Sequence, residues 1–283
     1  MRTEVDFDVV AKGHVGAAGW RVAVLLAGIV AAGGACGGST SSVDAGPSVN
    51  PDADPSVPDA TPGMAPSGPD ASAPNGLSDE FNGASLDTSW KVTRGELFDE
   101  TSVANGELQL VVSKESVWYH GDAGPALWKG VAGDFKATTS VHVHMDGDPS
   151  RPPGSYQFGG LIAFDPDESQ HNYVFAVVGP REGLQIELKT TVDNQSEVTA
   201  QGWGSTEAEL RICRVGDRFR LYTRTVGSDS WGEPAISYDR PDLPGTLNVG
   251  PFAYSLYGFQ TMRAKFARFY LEEVGSEADC AKD

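Results

Sequence analysis

The 283-residue sequence is short of basic side chains, has only three cysteines, and contains no window with the periodicity of an amphipathic helix. Its 21 Lys and Arg are outnumbered by 39 Asp and Glu, which makes the formal net charge −18. So large an acidic excess argues against nucleic-acid binding and against direct adhesion to anionic lipid. Without helical periodicity, the frequent alternation of apolar and polar residues predicts an all-β protein.

Segment 1–35 has the three parts of a secretory signal. An arginine is followed by the 14 uncharged residues Val22–Ala35, which end in small side chains just before Cys36. The run is shorter than the roughly 20 residues that a membrane-spanning helix needs. Its end resembles a bacterial lipobox, in which the cysteine receives a lipid and becomes the mature N-terminus, although Gly33 stands where such motifs usually carry leucine. The alternative is an ordinary signal cut near the same point, which would leave a free thiol.

Residues 36–76 are predicted to form a tether. After Cys36 they contain eight prolines and five aspartates, with no lysine, arginine or aromatic residue. Such a composition cannot bury enough apolar surface to offset its ordering entropy, so we expect disorder. Repeated proline stiffens the tether, which could reach on the order of 100 Å. We therefore expect an N-terminal lipid to hold a domain at a membrane, and the glycine after the cysteine favours the outer membrane of a Gram-negative bacterium.

The remaining residues, 77–283, have a normal length for one all-β domain. They carry 18 basic and 31 acidic groups, a net charge of −13, which suits neutral or cation-bridged ligands. We expect the folded part to be 77–274, followed by a tail at 275–283, and the protein to be a monomer. In an oxidising compartment Cys213 and Cys280 are expected to pair. The alternative is a buried Cys213 and a free Cys280 in a frayed tail.

Alternation of side chains predicts strands throughout this domain. In 134–145, Phe135, Val141 and Val143 share one face, whereas His142 and His144 lie on the other. Turn signals such as Asn-Gly and Asp-Pro-Asp separate about ten runs of this kind. Short strands with regular turns and no helix predict a two-sheet sandwich or a barrel.

Several motifs resemble the concanavalin A-like lectin/glucanase superfamily. They are Asp79-Glu80-Phe81-Asn82-Gly83 with Leu86-Asp87 and Trp90, Phe158-Gly159-Gly160-Leu161, Leu210-x-Ile212-x-Arg214-x-Gly216, and Val249-Gly250-Pro251-Phe252 before Phe266 and Phe269. The resemblance implies an antiparallel jelly-roll sandwich, a packing role for Trp90, and a structural Ca²⁺ near the joined termini at Asp79 or Glu80. It implies no single activity, because the superfamily contains lectins, carbohydrate-binding modules, laminin G-like domains and glycosidases.

The sequence offers no local catalytic motif. Glycosidases of this fold that cleave β-glucans carry carboxylates at alternate positions of one strand. The nearest segment, 96–100, has Phe98 between Glu96 and Glu100. We therefore predict no catalytic residues, while a carboxylate pair assembled from separate strands stays open.

Metal-binding patterns are also weak. His142 and His144 face the same way and could share a Zn²⁺, but a solvated strand face is the interpretation that we favour. The acidic turns 146–150 and 165–169 place oxygen atoms at alternate positions, as calcium loops do, and we interpret them as solvated turns.

Aromatic residues are the better functional signal. Trp118, Trp128 and Trp203 lie in or beside Gly-rich segments, where indole rings can stack on pyranose C–H faces. The predicted carbohydrate-binding set adds three residues expected on the concave sheet: Tyr173, Gln185 and Glu187. The alternative is that such tryptophans plug the ends of the sandwich. We predict a non-catalytic domain that binds a polysaccharide or cell-surface glycan; the alternatives are a jelly-roll glycoside hydrolase or lyase and a protein-docking domain.

Overall fold

The computed structural model describes residues 76–167 and 171–283, which belong to one compact unit, Ala65–Asp283. The predicted signal, Cys36 and nearly all of the predicted tether lie outside these residues. Within the described ranges no helix is long and apolar enough to cross a membrane.

Seven strands form the first sheet, and every neighbouring pair is antiparallel. In spatial order they are β1 (Lys91–Thr93), β4 (Ala126–Ala132), β13 (Thr246–Ser255), β6 (Gln157–Phe164), β7 (Tyr173–Pro180), β8 (Leu184–Val192) and β9 (Gln195–Gly202).

The second sheet also has seven antiparallel strands. In spatial order they are β12 (Ile236–Asp239), β11 (Arg218–Arg224), β10 (Glu207–Val215), β5 (Phe135–Met145), β14 (Met262–Glu273), β3 (Glu107–Val112) and β2 (Glu100–Ala104). The described helical structure consists of two short 3₁₀ turns, Gly95–Leu97 and Glu277–Asp279. The predicted all-β, two-sheet sandwich is confirmed.

The main core lies between the two sheets, where alternate residues of both meet. Strand β7 contributes Val174, Ala176 and Val178, and β10 contributes Leu210 and Ile212 from the opposite sheet. Burial of one such aliphatic side chain stabilises the fold by about 1.5–3 kcal/mol. The sheets approach closely at Gly159, where an added Cβ would lie 2.8 Å from Val143.

Trp90 belongs to this core, as predicted. Its ring packs edge-on against Phe269 at 5.1 Å between ring centroids, and its indole Nε1 donates a hydrogen bond of 2.7 Å to Asp79. The N-terminal end of the domain is thereby joined to β14, since Asp79 and Phe269 also exchange backbone hydrogen bonds of 2.8 Å.

Candidate functional site

The outer face of the first sheet is aromatic. The sequences of strands β6 and β7 are nearly continuous apolar runs. The reason is that their residues are buried both on the face toward the main core and on the opposite, outer face. The outward set forms a second cluster, distinct from the main core: Phe158, Ile162, Phe164, Tyr173, Phe175, Val177, Phe252 and Tyr254. A sheet face of this composition needs a cover, since several aromatic rings would otherwise be exposed to water.

The cover is the segment 113–125, which joins β3 to β4 and is called here the covering segment. It places Trp118, which is 2% exposed, on the aromatic face. The indole ring meets Tyr173 edge-on at 5.3 Å and Phe252 at 6.0 Å between centroids. Gly124 allows the segment to fold over this ring, because an added Cβ would lie 2.7 Å from the indole.

Polar contacts attach the covering segment to several strands. The Ser116 N–H donates to the Ser255 carbonyl at 2.7 Å, and the His120 N–H donates to the Ser196 hydroxyl at 3.0 Å. Between these points the Lys189 ammonium donates to the Trp118 carbonyl. The segment therefore holds its place through hydrogen bonds as well as through burial of its tryptophan.

A buried charged pair lies under the covering segment. Lys189 is 3% exposed, and its ammonium lies 4.6 Å from the Tyr119 ring centroid and 4.9 Å from that of Phe175. Burial lowers the pKa of Lys189 to about 7, and nearby Glu187 partly opposes this shift. Burial likewise raises the pKa of Glu187, against the effect of Lys189 and Arg181. Both groups are thus removed from water.

Beyond the covering segment, aromatic rings reach solvent at one end of the sheet. Tyr156, Tyr257 and Phe259, here called the exposed aromatic cluster, succeed one another at centroid distances of 5.5 and 6.0 Å. Tyr257 is 41% exposed and Phe259 is 88% exposed. Arg181 lies beside them, and its Nε donates a hydrogen bond of 3.1 Å to the Tyr156 hydroxyl.

Polar groups border this cluster. A second guanidinium nitrogen of Arg181 lies 3.7 Å from a carboxylate oxygen of Glu187, which also accepts a 2.7 Å hydrogen bond from the Gln185 amide. Ligand-binding sites commonly combine aromatic side chains with a few placed polar groups. The arrangement can bind a ligand without providing a reactive group.

The structure does not bring the six predicted carbohydrate-binding residues together. Trp118 and Tyr173 are buried against each other, so neither ring is accessible to a sugar. Trp118 covers the outer face of the first sheet and does not plug an end of the sandwich. Trp128 is half-buried on the same face, with its Nε1 donating to the Thr93 hydroxyl at 2.9 Å. Trp203 packs against the main core and donates to the Glu207 carbonyl at 2.7 Å. Of the set, Gln185 and Glu187 border the exposed aromatic cluster.

Sequence reasoning missed the exposed aromatic cluster and Arg181. Tyr257 and Phe259 flank Gly258 in the turn between β13 and β14. This is the same signal, aromatic residues in a Gly-containing loop, that directed attention to the tryptophans. It does not distinguish rings that project into water from rings that fold back onto a sheet.

The first sheet carries no pair of carboxylates on its outer face. Among its described strands the acidic residues are Glu187 and Glu197. Glu197 pairs in register with Thr190, which alternates with Glu187 and so points to the opposite face. Glu96 lies in a 3₁₀ turn and Glu100 begins β2 of the other sheet. Hydrolysis by a pair of carboxylates needs two that face each other, and the described strands of the first sheet place one, Glu187, on this outer face.

The residues around Asp79 do not fit a calcium ion. Its two carboxylate oxygens accept hydrogen bonds from the Phe81 N–H at 2.8 Å and from the Trp90 indole at 2.7 Å. Burial raises the pKa of Tyr270, and a hydrogen bond between its hydroxyl and Glu80 adds to this shift. Among the described residues no group of three or more His, Cys, Asp or Glu side chains could hold a metal ion. The calcium ion stays a prediction without a supporting site.

The C-terminal tail is attached to the outer face of the second sheet. Cys213 of β10 and Cys280 form a disulfide, and both are buried. Arg211 donates to the Cys280 carbonyl at 2.8 Å. Trp231 lies between two guanidinium groups, those of Arg211 and Arg224, each 4.1 Å from its ring centroid. The predicted pairing of Cys213 with Cys280 is therefore confirmed, and the alternative of a free Cys280 in a frayed tail is wrong.

Comparisons with known proteins reveal relatives in structure but not in sequence. No protein-family profile matches the chain, and no curated protein matches it. The GH43 BlXynB protein from Bacillus licheniformis superposes with a TM-score of 0.57 at 16% identity, over 70% of this chain and 39% of its own. Xylan β-1,4-xylosidase from Bacillus halodurans C-125 superposes with a TM-score of 0.55 at 16% identity, over the same shares. These likenesses establish the fold.

A third similar structure differs from these in length. A functionally unknown protein from Saccharomyces cerevisiae superposes with a TM-score of 0.56 at 12% identity, over 66% of this chain and 98% of its own. The present chain spans 39% of the length of the two Bacillus proteins. The shared sandwich is therefore part of a larger molecule in those proteins and nearly the whole of the yeast protein.

Proposed function

We propose that this protein is a carbohydrate-binding domain without hydrolytic machinery, and that it contacts its ligand at the exposed aromatic cluster. The observation that carries this proposal is the chain of rings formed by Tyr156, Tyr257 and Phe259 beside Arg181. The Phe259 ring is exposed and is not needed for core packing, so it is available to stack on a sugar ring.

The structural relatives support a glycan as the ligand class. Two of them are a GH43 protein and a xylan β-1,4-xylosidase. This chain matches 39% of each, so only a shared module is compared and the catalytic activity of the whole proteins is not carried over. Xylans are accordingly the first polysaccharides to test. The net charge of −13 in 77–283 favours a neutral glycan over a polyanion such as nucleic acid.

A hydrolase is the less supported alternative. Glycosidases that retain or invert configuration use two carboxyl groups roughly 5–10 Å apart. On the outer face of the first sheet Glu187 is the one strand carboxylate within the described residues, and it is buried beside Lys189. The proposed domain therefore binds a glycan and does not cleave it.

Protein docking is a second function that a specific observation favours. The outer face of the first sheet is filled by the covering segment, while Tyr257 and Phe259 form an apolar patch in water. Exposed apolar patches also mark protein interaction sites. Glycan binding and protein docking would both use Tyr257 and Phe259. A glycan-binding experiment on variants of these residues therefore tests one function against the other.

The experiment measures binding of the full chain to an array of xylans, other plant and algal polysaccharides and bacterial glycans, together with release of reducing sugar. We expect saturable binding that weakens at least tenfold in Tyr257→Ala and Phe259→Ala, with no sugar release. Val226→Ala is the matched control, because Val226 is another exposed apolar residue. Release of sugar that Glu187→Gln abolishes would establish the hydrolase, and absence of glycan binding would leave the docking function.

We further propose that the domain is anchored through a lipid on Cys36 and displayed on the outer membrane by the tether 36–76. The support is the sequence alone: an apolar run before the cysteine and a proline-rich acidic stretch after it. Mass spectrometry of the mature protein should find a lipid on Cys36 and no residues before it. In Cys36→Ser the protein should leave the membrane fraction; retention there would contradict the proposal.

A further inference from the structure

Two histidines on the outer face of the second sheet have an environment that a solvated strand face does not explain. His142 and His144 project side by side from β5, with ring centroids 4.9 Å apart. His144 is only 3% exposed, contrary to the solvated face predicted from the sequence. Its Nε2 atom is buried without a hydrogen-bond partner. A buried polar atom left unpaired is costly and calls for an explanation.

The opposite nitrogen of each ring faces an acceptor. The Nδ1 atom of His144 lies 2.8 Å from the Met145 carbonyl oxygen, which can only accept, so Nδ1 donates this hydrogen bond and the lone pair of the neutral ring is on Nε2. The Nδ1 atom of His142 lies 3.7 Å from a carboxylate oxygen of Glu207 on the neighbouring strand β10. Histidines that bind metals usually direct their second N–H to a carbonyl or a carboxylate. His144 has this arrangement, whereas the 3.7 Å between His142 and Glu207 is a charge contact and not a hydrogen bond.

The nearby charges permit a cation. The ammonium of Lys265, on the adjacent strand β14, is paired with Glu107 at 2.5 Å. Arg263 of β14 lies 2.8 Å from a carboxylate oxygen of Asp146 and 3.3 Å from one of Glu100. These positive groups are therefore matched by acidic ones, and Glu207 adds a further negative charge beside His142. A divalent ion at the histidine pair would meet no uncompensated positive charge from these groups.

We propose that the Nε2 atoms of His142 and His144 bind a divalent transition-metal ion of the Zn²⁺ or Ni²⁺ type, with water completing its coordination. Imidazole is the ligand that these ions prefer, whereas Ca²⁺ and Mg²⁺ prefer oxygen atoms. Among the residues that the structure describes, no third His, Cys, Asp or Glu side chain joins them. The site is accordingly a two-imidazole site, reached from solvent through the partly exposed His142 ring. It does not depend on glycan binding.

The test is isothermal titration of the untagged full chain with Zn²⁺ and Ni²⁺ after removal of metals with a chelator. All proteins carry Cys36→Ser, which removes a competing thiol outside the described residues. We expect one saturable site, at least about tenfold weaker in His142→Gln and His144→Gln, and less strongly weakened in Glu207→Gln, which removes a negative charge beside the bound cation. Ca²⁺ should not compete for the site.

Controls separate loss of a ligand from loss of the fold. His120→Gln changes a histidine on the covering segment and should bind the metal like the parent protein. His142 is partly exposed, so His142→Gln should keep the parent near-UV circular dichroism spectrum even where the buried His144→Gln does not. Absence of saturable binding to the parent protein, or unchanged binding in a folded His142→Gln variant, would overturn the proposal.

Discussion

The two outer faces of the sandwich are covered in different ways. The first sheet presents aromatic rings, and the covering segment buries them with Trp118. The second sheet presents charged side chains joined across strands, such as buried Glu209 between Arg224 and Arg268. Its partial cover is the C-terminal tail, attached by a disulfide. One face is closed by apolar burial, and the other is held by ion pairs and a covalent bond.

This difference determines which groups of each face reach solvent. A closed aromatic face stabilises the fold, but it leaves little surface for recognition, so the accessible rings are those at its end, Tyr257 and Phe259. The second face carries ion pairs at different depths, since the Glu209 carboxylate is buried whereas those of Glu272 and Asp283 are about half exposed. The ion that we propose at His142 and His144 suits this polar face better than an apolar ligand would.

The largest expected loss of stability comes from a substitution that removes the aromatic cover of the first sheet. Trp118→Ala removes the ring that meets Tyr173, Phe164 and Phe252, and we expect it to lower the free energy of unfolding by about 3–5 kcal/mol. Urea unfolding measures the change. Trp128→Ala is the matched control. It should lower the free energy of unfolding by clearly less, because that ring is half-buried at the edge of the same face. Equal losses in the two variants would show that the covering segment is not closed by Trp118.

A smaller effect is expected from opening the second face. Replacing both Cys213 and Cys280 by alanine removes a bridge between residues 67 positions apart, and the free energy of unfolding should fall by about 2–4 kcal/mol. Thermal unfolding under non-reducing conditions measures it. Glycan binding at the exposed aromatic cluster should be unchanged at a temperature where the variant is folded. A loss below about 1 kcal/mol would mean that the ion pairs alone hold the tail.

The smallest expected effect is a dependence of stability on pH. It concerns the first sheet, where Lys189 is buried under the covering segment. The pKa of Lys189 is about 7 in the folded protein, below its ordinary value of 10.5. Between these pH values the unfolded chain binds more protons than the folded one, so stability rises with pH by at most about 1.4 kcal/mol per unit. Lys189→Met lacks this contribution. Unfolding curves at pH 7, 8 and 9 should show the parent protein gaining stability relative to the variant; parallel curves would contradict the buried lysine.

Much of the fold could be predicted from local patterns. Alternation in 134–145 placed Phe135, Val141 and Val143 correctly in the core, and the structure confirms them there. The site could not be predicted in the same way. Trp118 and Phe259 both lie in Gly-containing loops, yet one is 2% exposed and the other 88%. Their difference depends on whether a sheet face lies within reach of the loop, which no local pattern contains.

The order of residues along the chain determined the all-β class and the acidic character of 77–283, because alternation and charge are properties of neighbours along the chain. The resemblance of its motifs to a known superfamily, and not alternation, favoured a sandwich over a barrel and a packing role for Trp90, and the structure confirms both. Tertiary structure alone decided that Trp118 closes a face while Tyr257 and Phe259 stay open, and that His144 is buried. The physical reason is that burial depends on contacts between residues distant in sequence, such as Lys189 with the Trp118 carbonyl, and these exist only once the sheets have assembled.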